Sequence, residues 1–460
     1  MTEPRPDNTR PIHFVGIAGA GMSALAELYV RRGYLVTGCD TNVASVGDLV
    51  RLGIPVAQGH DPAHVEGAAE VIVTSAVRRD HPELVRAREL GIPVTRRAEA
   101  LGRAVSGGQL VGVAGTHGKT TTTVMTTQAL AAAGMEPTGI AGGRVGAWNG
   151  NISEGSDRLF VVEADEYDRS FHALAPTVAV VTNMEADHLD IYPGGIEEIR
   201  AAFAQYIRGA RAIVLCADDY GASTLPTPST AEVIRYGTHP GEVRLVAHAI
   251  EPLPGGSRYL CMYDGKELGE VRLGVPGMHN VRNSLAAIAS GLALGAELGR
   301  MTPGLESFTG VERRFQVIGE VRGATIIDDY AHHPTEIEAT LEAARSAFPN
   351  RRIIAAFQPH LYSRTRDFHV EFARALSRAD MVFLCSLYPA REEPIEGVSS
   401  DMIASPMRDA GSAPVWEGPR DELAHALLKV VRPGDVVITI GAGDITATGP
   451  ELLSLLEQSA

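Results

Sequence analysis

Four residues near the start of the chain have the types and spacing of a turn that binds a diphosphate. Gly19, Gly21 and Ala24 match the GxGxxG/A pattern, and Asp40 follows about twenty residues later. Glycines there allow backbone N–H groups to approach phosphate oxygens, and the next helix adds a partial positive charge at its N-terminus. The pattern fits NAD or a nucleotide sugar, and a tight strand-to-helix turn without a ligand is the alternative.

A second glycine-rich loop, residues 112–120, has the pattern of a nucleotide phosphate loop. It ends in Gly-Lys-Thr but departs from the usual GxxxxGK[ST] spacing, because Val113 occupies the position of the first glycine. Only three of the 41 basic residues are lysines, which favours a phosphate-binding role for Lys119 over that of a solvated surface residue. Thr120 would then offer its hydroxyl to the Mg²⁺ that accompanies a triphosphate.

Carboxylates follow two apolar segments that we predict to be strands of a parallel sheet. Glu163 follows the segment 159–162, and Asp187 and His188 come after the segment 178–181. Either acidic cluster alone could be a solvated loop. Beside a phosphate loop they together predict a Mg²⁺ site, since Mg²⁺ prefers oxygen ligands.

Basic, aromatic and carboxylate side chains recur in the last third of the chain near the ends of predicted strands, where open α/β sheets bind ligands. Arginines there can neutralise a phosphoryl group or hold a carboxylate with two hydrogen bonds. The pair His332 and His333 could belong to a zinc site, but no third soft ligand has suitable spacing, so zinc is the less favoured interpretation. The candidate residues are Arg313, Arg314, Asp329, Tyr330, His332, His360 and Arg364.

Alternating strand and helix patterns position these residues and predict an α/β protein. The turn-rich segment 106–108 and the cluster 311–315 mark two boundaries. We therefore predict three domains, at residues 1–108, 109–312 and 313–460. The predicted strands are 12–17, 35–39, 71–75, 110–114, 159–162, 178–181, 325–327, 353–357, 381–385 and 436–440, and the predicted helices are 22–32, 82–90, 284–294 and one that starts at 120.

Composition and charge exclude several classes of function. The 460 residues suffice for about three domains of ordinary size, and the net charge of −15 disfavours binding to nucleic acids and anionic lipids. The chain lacks an apolar run long enough for a membrane helix, and its first ten residues lack an apolar signal segment, so we expect a cytoplasmic protein without membrane insertion. The four cysteines are expected to be ordinary small apolar residues, because their spacing suits neither a CxxC site nor a disulfide scaffold.

With these motifs in place, the chain resembles the bacterial Mur ligase family over essentially its whole length. The resemblance rests on nine motifs in the family's order, which together are far more specific than any one of them. They are GIAGAGMS at Gly16, GTHGKTTTT at Gly115, EADEYD at Glu163, TNMEADHLD at Thr182, PGMHNVRN at Pro276, RRF at Arg313, DDYAHHPTE at Asp328, FQPHLYSRTRD at Phe357 and GAGDI at Gly441.

The resemblance implies three α/β domains: an N-terminal Rossmann-like domain for a UDP-sugar, a central P-loop-like ATPase domain with a mostly parallel sheet, and a C-terminal Rossmann-like domain for an amino acid. It also implies that ATP, with Mg²⁺, drives the joining of L-alanine to the lactyl carboxylate of UDP-N-acetylmuramate in peptidoglycan precursor synthesis. A free carboxylate is a poor electrophile, so the γ-phosphate first forms an acyl phosphate that the amine attacks. We expect a monomer or a weak homodimer.

The resemblance assigns roles to individual residues as well. Catalysis is assigned to Lys119, Glu163, His188 and Arg364, and metal binding to Thr120, Glu163 and His188. ATP binding is assigned to Gly115, Thr116, His117, Gly118, Lys119, Thr120, Thr121, His279, Asn280, Arg313, Arg314 and Asp329. UDP-sugar binding is assigned to Gly16, Ala18, Gly19, Gly21, Met22, Ser23, Asp40, Thr74 and Ser75, and amino-acid binding to Tyr330, His332, His360 and Arg364.

Two features place this chain within the family. No lysine lies between Lys119 and Lys266, so the carbamoylated lysine with which sister ligases bridge two metals is absent, which fits the alanine-adding branch. Leu361 stands where some relatives carry arginine, so that contact is lost or supplied elsewhere.

Three alternative functions remain open from the sequence. A related ligase that attaches a whole tripeptide to the same UDP-sugar shares the phosphate loop but differs at FQPHLYSRT, a motif that suits a small amino acid. An NAD-dependent dehydrogenase accounts for the first loop alone and leaves Lys119, Glu163 and His188 without a role. A nucleotide-binding regulator has no need of the amino-acid motif.

Overall fold

The computed structural model describes residues 9–43, 46–74, 76–189, 191–390 and 392–458 and contains three β-sheets. Contacts divide the chain into two units. Among the described residues, no helix is both long and apolar enough to cross a membrane. The first unit comprises Met1–His248, Leu260–Val271 and Arg282–Ser307, and the second comprises Ala249–Tyr259, Arg272–Val281 and Phe308–Ala460.

The first sheet has five parallel strands: β1 (Ile12–Val15), β2 (Val36–Asp40), β3 (Val56–Gln58), β4 (Glu70–Val73) and β5 (Val94–Arg96). Their spatial order is β3-β2-β1-β4-β5, so the direction of chain progression reverses between β1 and β4. Ligands of open α/β sheets bind at such a reversal, beyond the carboxyl ends of the strands, and the first glycine loop lies there. The helices are α1 (Ala20–Arg31), α2 (Gly47–Arg51), a 3₁₀ helix (Pro62–Val65), α3 (Pro82–Glu89) and α4 (Arg97–Val105).

The second sheet has ten strands, and most of its pairs are parallel. The strands are β6 (Gln109–Ala114), β7 (Pro137–Val145), β8 (Gly150–Ser153), β9 (Ser156–Glu163), β10 (Val178–Val181), β11 (Ala212–Cys216), β12 (Glu232–Gly237), β13 (Leu245–Leu253), β14 (Gly256–Tyr263) and β15 (Lys266–Leu273). Their order is β15-β14-β13-β12-β11-β10-β6-β9-β7-β8, with β7 and β8 antiparallel. The helices are α5 (Lys119–Ala132), two 3₁₀ helices (Gly146–Trp148 and Tyr167–Ala173), α6 (Ile196–Ile207), α7 (Tyr220–Ser223), α8 (Met278–Ala293) and α9 (Leu298–Glu306).

Helix α5 is a helix of buried threonines, although β-branched residues are only moderate helix formers. The Thr126 hydroxyl donates to the Thr122 carbonyl oxygen at 2.7 Å, and the Thr127 hydroxyl to the Thr123 carbonyl oxygen at 2.8 Å. These bonds within the helix satisfy hydroxyl groups that burial would otherwise leave unpaired. Tertiary burial therefore stabilises a helix that begins directly at the phosphate loop.

The third sheet has six strands: β16 (Gln316–Val321), β17 (Ala324–Asp329), β18 (Ile353–Phe357), β19 (Met381–Cys385), β20 (Trp416–Gly418) and β21 (Val436–Ile440). Their order is β16-β17-β21-β18-β19-β20, and β16, antiparallel to β17, is the one exception to parallel pairing among them. Helices cover both faces, so β21 is fully buried, with Ile438 in one core cluster and Val437 in the other. The helices are α10 (Pro334–Ala347), α11 (Tyr362–Leu376), α12 (Asp401–Asp409), α13 (Arg420–Leu428), a 3₁₀ helix (Asp444–Ala447) and α14 (Thr448–Gln458).

The predicted α/β class with three sheet-bearing parts is confirmed, and some element bounds differ from prediction. The strand predicted at 12–17 ends at Val15, because Gly16 adopts a φ of +79°. The helix predicted at 284–294 begins earlier, at Met278, directly after Pro276 and Gly277. Strands β12 to β15 were not predicted, because half-exposed strands such as β15 lack an apolar run. The predicted strands 178–181, 353–357, 381–385 and 436–440 are confirmed to the residue.

We expect Ile438→Ala to lower the free energy of unfolding of the second unit by about 2–5 kcal/mol, because the side chain is fully buried in one of the two central strands of its sheet. Urea unfolding followed by Trp416 fluorescence in a Trp148→Phe background measures the change. The control, Val415→Ala, alters a side chain that is 53% exposed and should shift stability by less than about 0.5 kcal/mol. Equal losses in the two variants would contradict the assignment of this core.

Candidate active site

Three adjacent strand ends of the second sheet form the centre of the site. Strand β6 pairs in parallel with β9 on one side, with Val113 opposite Glu163, and with β10 on the other, with Ala114 opposite Val181. The phosphate loop, Glu163 and the segment after β10 therefore leave the same edge of the sheet. The predicted placement of carboxylates at neighbouring strand ends is confirmed.

The segment after β10 holds the phosphate loop in shape. Thr182 Oγ1 donates to the carbonyl oxygen of His117 at 2.6 Å, and Asn183 Nδ2 donates to the same oxygen at 3.0 Å. The His117 N–H donates to Asn183 Oδ1 at 2.7 Å, and the Glu185 N–H donates to Thr116 Oγ1 at 2.9 Å. Thr182 and Asn183 were not predicted as site residues, although both lie in the TNMEADHLD motif.

Two glycines of the loop have no room for a side chain. Gly115 has a φ of +141°, and a Cβ atom there would lie 2.0 Å from Thr182 Oγ1. Gly118 has a φ of +79°, and its Cβ would lie 2.7 Å from Asn283 Oδ1. Both positions thus require glycine on grounds of backbone conformation and space. The loop leads into the N-terminus of α5, which carries partial positive charge.

Lys119, whose side chain is 13% exposed, forms an ion pair with the buried carboxylate of Glu166, a residue that was not predicted as part of the site. Its Nζ lies 2.9 and 3.0 Å from the two Glu166 oxygens and donates to the Gly115 carbonyl oxygen at 2.7 Å. Burial alone would lower the pKa of Lys119, but the carboxylates of Glu166, Asp165 and Glu163 raise it above its ordinary value. The side chain therefore stays charged at neutral pH.

The oxygen donors around this pair are those that a hard divalent cation prefers. Glu163 Oε2 accepts the N–H of Gly142 at 2.7 Å. His188 has a φ of +54°, and its Nε2 lies 3.9 Å from Glu166 Oε1 and 3.8 Å from Asp187 Oδ2. Thr120 is buried in the first turn of α5. The residues present thus fit Mg²⁺, with Glu166 between Lys119 and His188.

The first glycine loop is closed by a carboxylate of its own sheet. Asp40 Oδ2 accepts the N–H of Ala18 at 2.9 Å, so the predicted UDP-sugar contact also shapes the loop. Gly16 has a φ of +79°, and a Cβ there would lie 3.1 Å from Thr74 Cγ2. Gly19 caps α1, and its carbonyl oxygen accepts the N–H groups of Met22 and Ser23. Gly21 lies against Arg97, and Ser75 lies outside the described residues.

In the second unit, Arg313 and Arg314 lie against one aromatic ring. Their guanidinium carbons lie 4.8 and 5.0 Å from the centre of the Tyr330 ring. Arg313 Nη2 also donates to the Gly441 carbonyl oxygen at 2.7 Å, and its Nε donates to Asp328 Oδ2 at 3.3 Å. The RRF, DDYAHHPTE and GAGDI motifs are therefore parts of one network.

Asp329 lies in this network as a buried carboxyl group. Its Oδ2 accepts the N–H of Phe315 at 2.7 Å, and its Oδ1 accepts the N–H of Ala331 at 2.8 Å. Burial raises the pKa of Asp329 to about 6, although the Arg314 charge and the two backbone N–H groups act in the opposite direction.

The predicted amino-acid residues form a row of rings in the second unit. The centre of the His332 ring lies 5.2 Å from that of Tyr330 and 6.2 Å from that of His360, and Tyr388 stacks on His360 at 5.8 Å. Tyr388 was not predicted, since it lies in none of the nine motifs. Arg364 is buried near the start of α11.

Leu361 is buried, with a φ of +72° that is unusual for a branched side chain. Its N–H donates to the Tyr388 carbonyl oxygen at 3.0 Å. His279 and Asn280 lie in the first turn of α8, where Asn280 Nδ2 donates to the Pro276 carbonyl oxygen at 2.7 Å.

Comparisons with known proteins place all three sheets in one family. Three protein-family models match the sequence. The family model described as "Mur ligase family, catalytic domain" matches residues 11–108, "Mur ligase middle domain" matches 113–291, and "Mur ligase, glutamate ligase domain" matches 313–443. A Salinibacter ruber protein named UDP-N-acetylmuramate--L-alanine ligase is 44% identical, over 99% of this chain and 97% of its own length. The Geobacter sulfurreducens protein of the same name is 42% identical, over 97% of this chain and 98% of its own length.

Solved structures agree with these matches. The UDP-N-acetylmuramate-alanine ligase MurC of Thermotoga maritima aligns with a TM-score of 0.85 at 31% identity, over 98% of this chain and 100% of that chain. A murein peptide ligase of Psychrobacter arcticus aligns with a TM-score of 0.72, over 97% of this chain and 98% of that chain. Its identity of 24% supports likeness of fold alone.

We expect the stability of the second unit to depend on pH through Asp329. A carboxyl group whose pKa is higher in the folded than in the unfolded state contributes stability below its unfolded pKa and loses that contribution as pH rises through the folded one. Between about pH 4 and pH 7 the wild type should therefore lose about 2–3 kcal/mol relative to Asp329→Asn, since one pKa unit corresponds to about 1.4 kcal/mol. Trp416 fluorescence in the Trp148→Phe background measures both urea unfolding curves, and parallel pH profiles would contradict the raised pKa.

Proposed function

The chain belongs to the Mur ligase family, and on that premise we propose that it joins L-alanine to the lactyl carboxylate of UDP-N-acetylmuramate in peptidoglycan precursor synthesis. ATP is consumed to form ADP and phosphate. Full-length relatives that are 41–44% identical and named for this reaction support the substrates. In the structure, the observation that carries the proposal is the largely enclosed Lys119 side chain in a glycine loop at the N-terminus of α5.

The phosphate loop binds and orients the triphosphate. Lys119 supplies a compact positive charge, and the first N–H groups of α5 add donors along the same direction. A triphosphate replaces part of the Glu166 interaction with Lys119, because its more concentrated negative charge competes for the same ammonium group. Glu166 Oε1 also lies 3.9 Å from His188 Nε2, so the pair stands next to a proposed Mg²⁺ ligand.

Thr120, Glu163 and His188 are the residues we propose as ligands of Mg²⁺, which when bound neutralises phosphate charge. Neighbouring groups of the protein position two of these side chains. Gly142 fixes Glu163 through its N–H, and Tyr167 packs edge-on against His188 with ring centres 5.2 Å apart. The Glu163 carboxylate and the His188 imidazole are thus held by neighbouring groups of the protein before any ligand binds.

The remaining predicted residues divide between the two substrates and the nucleotide. The loop Gly16–Gly21, with Asp40 and Thr74, binds the UDP-sugar diphosphate at the reversal point of the first sheet. Tyr330, His332, His360 and Arg364 bind the amino acid, whose carboxylate suits a guanidinium. Arg313, Arg314 and Asp329, with His279 and Asn280, contact the nucleotide. We further propose a cytoplasmic enzyme that is a monomer or a weak homodimer.

The alternative functions account for less of the site. A dehydrogenase has no need of the Lys119–Glu166 pair or of His188, and a nucleotide-binding regulator has no need of the row of rings at His332 and His360. A tripeptide ligase shares the fold, but the similar full-length relatives bear the name of an alanine ligase. L-alanine is therefore the amino acid to test first.

The deciding measurement is phosphate release with ATP, Mg²⁺ and UDP-N-acetylmuramate. Three parallel reactions contain no amino acid, L-alanine, or the murein tripeptide. We expect release with L-alanine alone. Preference for the tripeptide would make this chain a recycling ligase, and no release in any reaction would contradict ligase activity altogether.

Lys119→Arg should lower kcat by about 100-fold or more, because a broad planar guanidinium does not fit a cradle in which Gly115 and Gly118 have no free space. The matched control is Lys266→Arg, the same substitution at an exposed position of β15, which should keep wild-type turnover. Alanine-dependent phosphate release measures both variants, and melting temperatures verify that they fold. Near-normal turnover of Lys119→Arg would remove the lysine from phosphate binding.

A further inference from the structure

One face of the first sheet brings together four side chains of the types that bind transition metals. They are His13 of β1, Cys39 of β2, His64 of the 3₁₀ helix Pro62–Val65, and Glu83 of α3. One potential ligand atom from each lies within 4.8 Å of all the others. None of the four belongs to the candidate active site, and the spacing of Cys39 in the sequence predicted only an apolar role for it.

Strand register places two of the four on the same face. β1 and β2 pair in parallel, with His13 opposite Thr37 and Val15 opposite Cys39. Side chains two residues apart point to the same side of a sheet, so His13 shares a face with Val15, and Cys39 lies beside Val15 in the same core cluster. The 3₁₀ helix and α3, which supply His64 and Glu83, cover this face through Val65 and Leu84.

His13 has the arrangement of a metal-binding histidine. Its Nδ1 lies 2.9 Å from Thr37 Oγ1, which fixes the ring. Its Nε2 is buried without a hydrogen-bond partner, in a residue that is only 2% exposed.

Glu83 is a fully buried carboxylate. Among the ion pairs of the described residues, those of Glu83 are with histidines and none is with a lysine or an arginine. Its oxygens lie 2.7 Å from His64 Nδ1 and 3.1 and 3.2 Å from Cys39 Sγ, and Oε1 accepts the Asp61 N–H at 3.2 Å. These donors stabilise the carboxylate through hydrogen bonds, and a divalent cation would add a full positive charge beside it.

We propose that His13 Nε2, Cys39 Sγ, His64 Nδ1 and Glu83 bind a divalent transition-metal ion of the Zn²⁺ class. The donor set of two imidazoles, one thiolate and one carboxylate is one that Zn²⁺ accepts in tetrahedral sites closed by protein. Tetrahedral ligands 2.0–2.3 Å from zinc lie about 3.3–3.8 Å from one another, and the spacing of these donors requires shifts of only about an ångström to reach that range. Binding converts the Cys39 thiol to a thiolate, and its proton goes to solvent.

The bound ion stabilises the fold of the first sheet and takes no part in the ligase reaction. One ion joins two strands, the 3₁₀ helix and α3, which are otherwise held by the small core cluster around Val15 and Val65. Cys39 precedes Asp40, the residue that closes the first glycine loop through Ala18. The ion therefore stabilises the strand end from which Asp40 projects.

Co²⁺ titration of the purified full-length protein, after removal of bound metal with a chelator, tests the proposal. A thiolate-to-Co²⁺ charge-transfer band should grow to about one equivalent and be displaced by Zn²⁺ but not by excess Mg²⁺. Cys39→Ser should lose the band, whereas the control Cys261→Ser, another buried thiol, should keep it. Absence of the band in the wild type, or its survival in Cys39→Ser, would overturn the site.

A second measurement separates this ligand set from a neighbouring one, since His60 and His81 approach the other Glu83 oxygen at 3.3 and 3.8 Å. Zn²⁺ should raise the melting temperature of the wild type and of His81→Ala, but not of His64→Asn, whose side chain is 24% exposed and tolerates substitution. The reverse pattern would assign the metal to His60 and His81 and overturn the proposal as stated. Neither readout depends on ligase activity, so the two proposals can fail separately.

Discussion

The ion pair between Lys119 and Glu166 is the interaction on which the central part of the chain depends. Glu166 is buried and only 13% of the Lys119 side chain is exposed, and a charge with so little access to water is tolerated only when an opposite charge and hydrogen bonds compensate it. The pair is supplied by two different strand ends, so it links the phosphate loop after β6 to the EADEYD segment after β9. The segment after β10 completes the arrangement through Thr182 and Asn183. Parallel pairing of three strands is what brings these segments to one edge.

The same principle recurs in the other two sheets, where side chains of the chain itself hold the loops that are proposed to bind ligands. Asp40 closes the first glycine loop through the Ala18 N–H, and Arg313 joins the RRF and GAGDI segments through Gly441. Groups that are fixed in advance lose little freedom when a ligand binds. Preorganised charge is also the form of electrostatic stabilisation that is most effective for phosphoryl and acyl transfer.

Two buried carboxylates, Glu166 and Glu83, show how different partners give similar residues different chemistry. Glu166 faces an ammonium group and lies next to a histidine, so its charge is compensated within the protein. Glu83 faces a thiol and imidazoles, all of which are metal ligands once deprotonated. The Lys119–Glu166 pair suits replacement of the carboxylate by a phosphate group, whereas the groups around Glu83 suit binding of a metal cation.

The sequence by itself determined the α/β class, most of the central strands of the three sheets and the positions of the two glycine loops; the central strand β11 was not predicted, although it too is a continuous apolar run. Strands such as β10 and β21 are short, continuous apolar runs, and backbone positions such as Gly115 and Gly118 admit no other residue, so both leave local signals. The nine motifs then identified the family, because their order is preserved along the whole chain.

Only the tertiary structure decided which residues meet. The spacing of Glu166 in the sequence does not distinguish it from Glu163 and Asp165. It pairs with Lys119 because of the path of the chain between β9 and the 3₁₀ helix that follows. Tyr388 and Leu361 come together across 27 positions of the chain through one backbone hydrogen bond. His13, Cys39, His64 and Glu83 are likewise spread over four elements, and strand register and helix packing bring them together. Contacts of this kind depend on long-range packing, whereas motifs and periodicity record only what neighbours along the chain require.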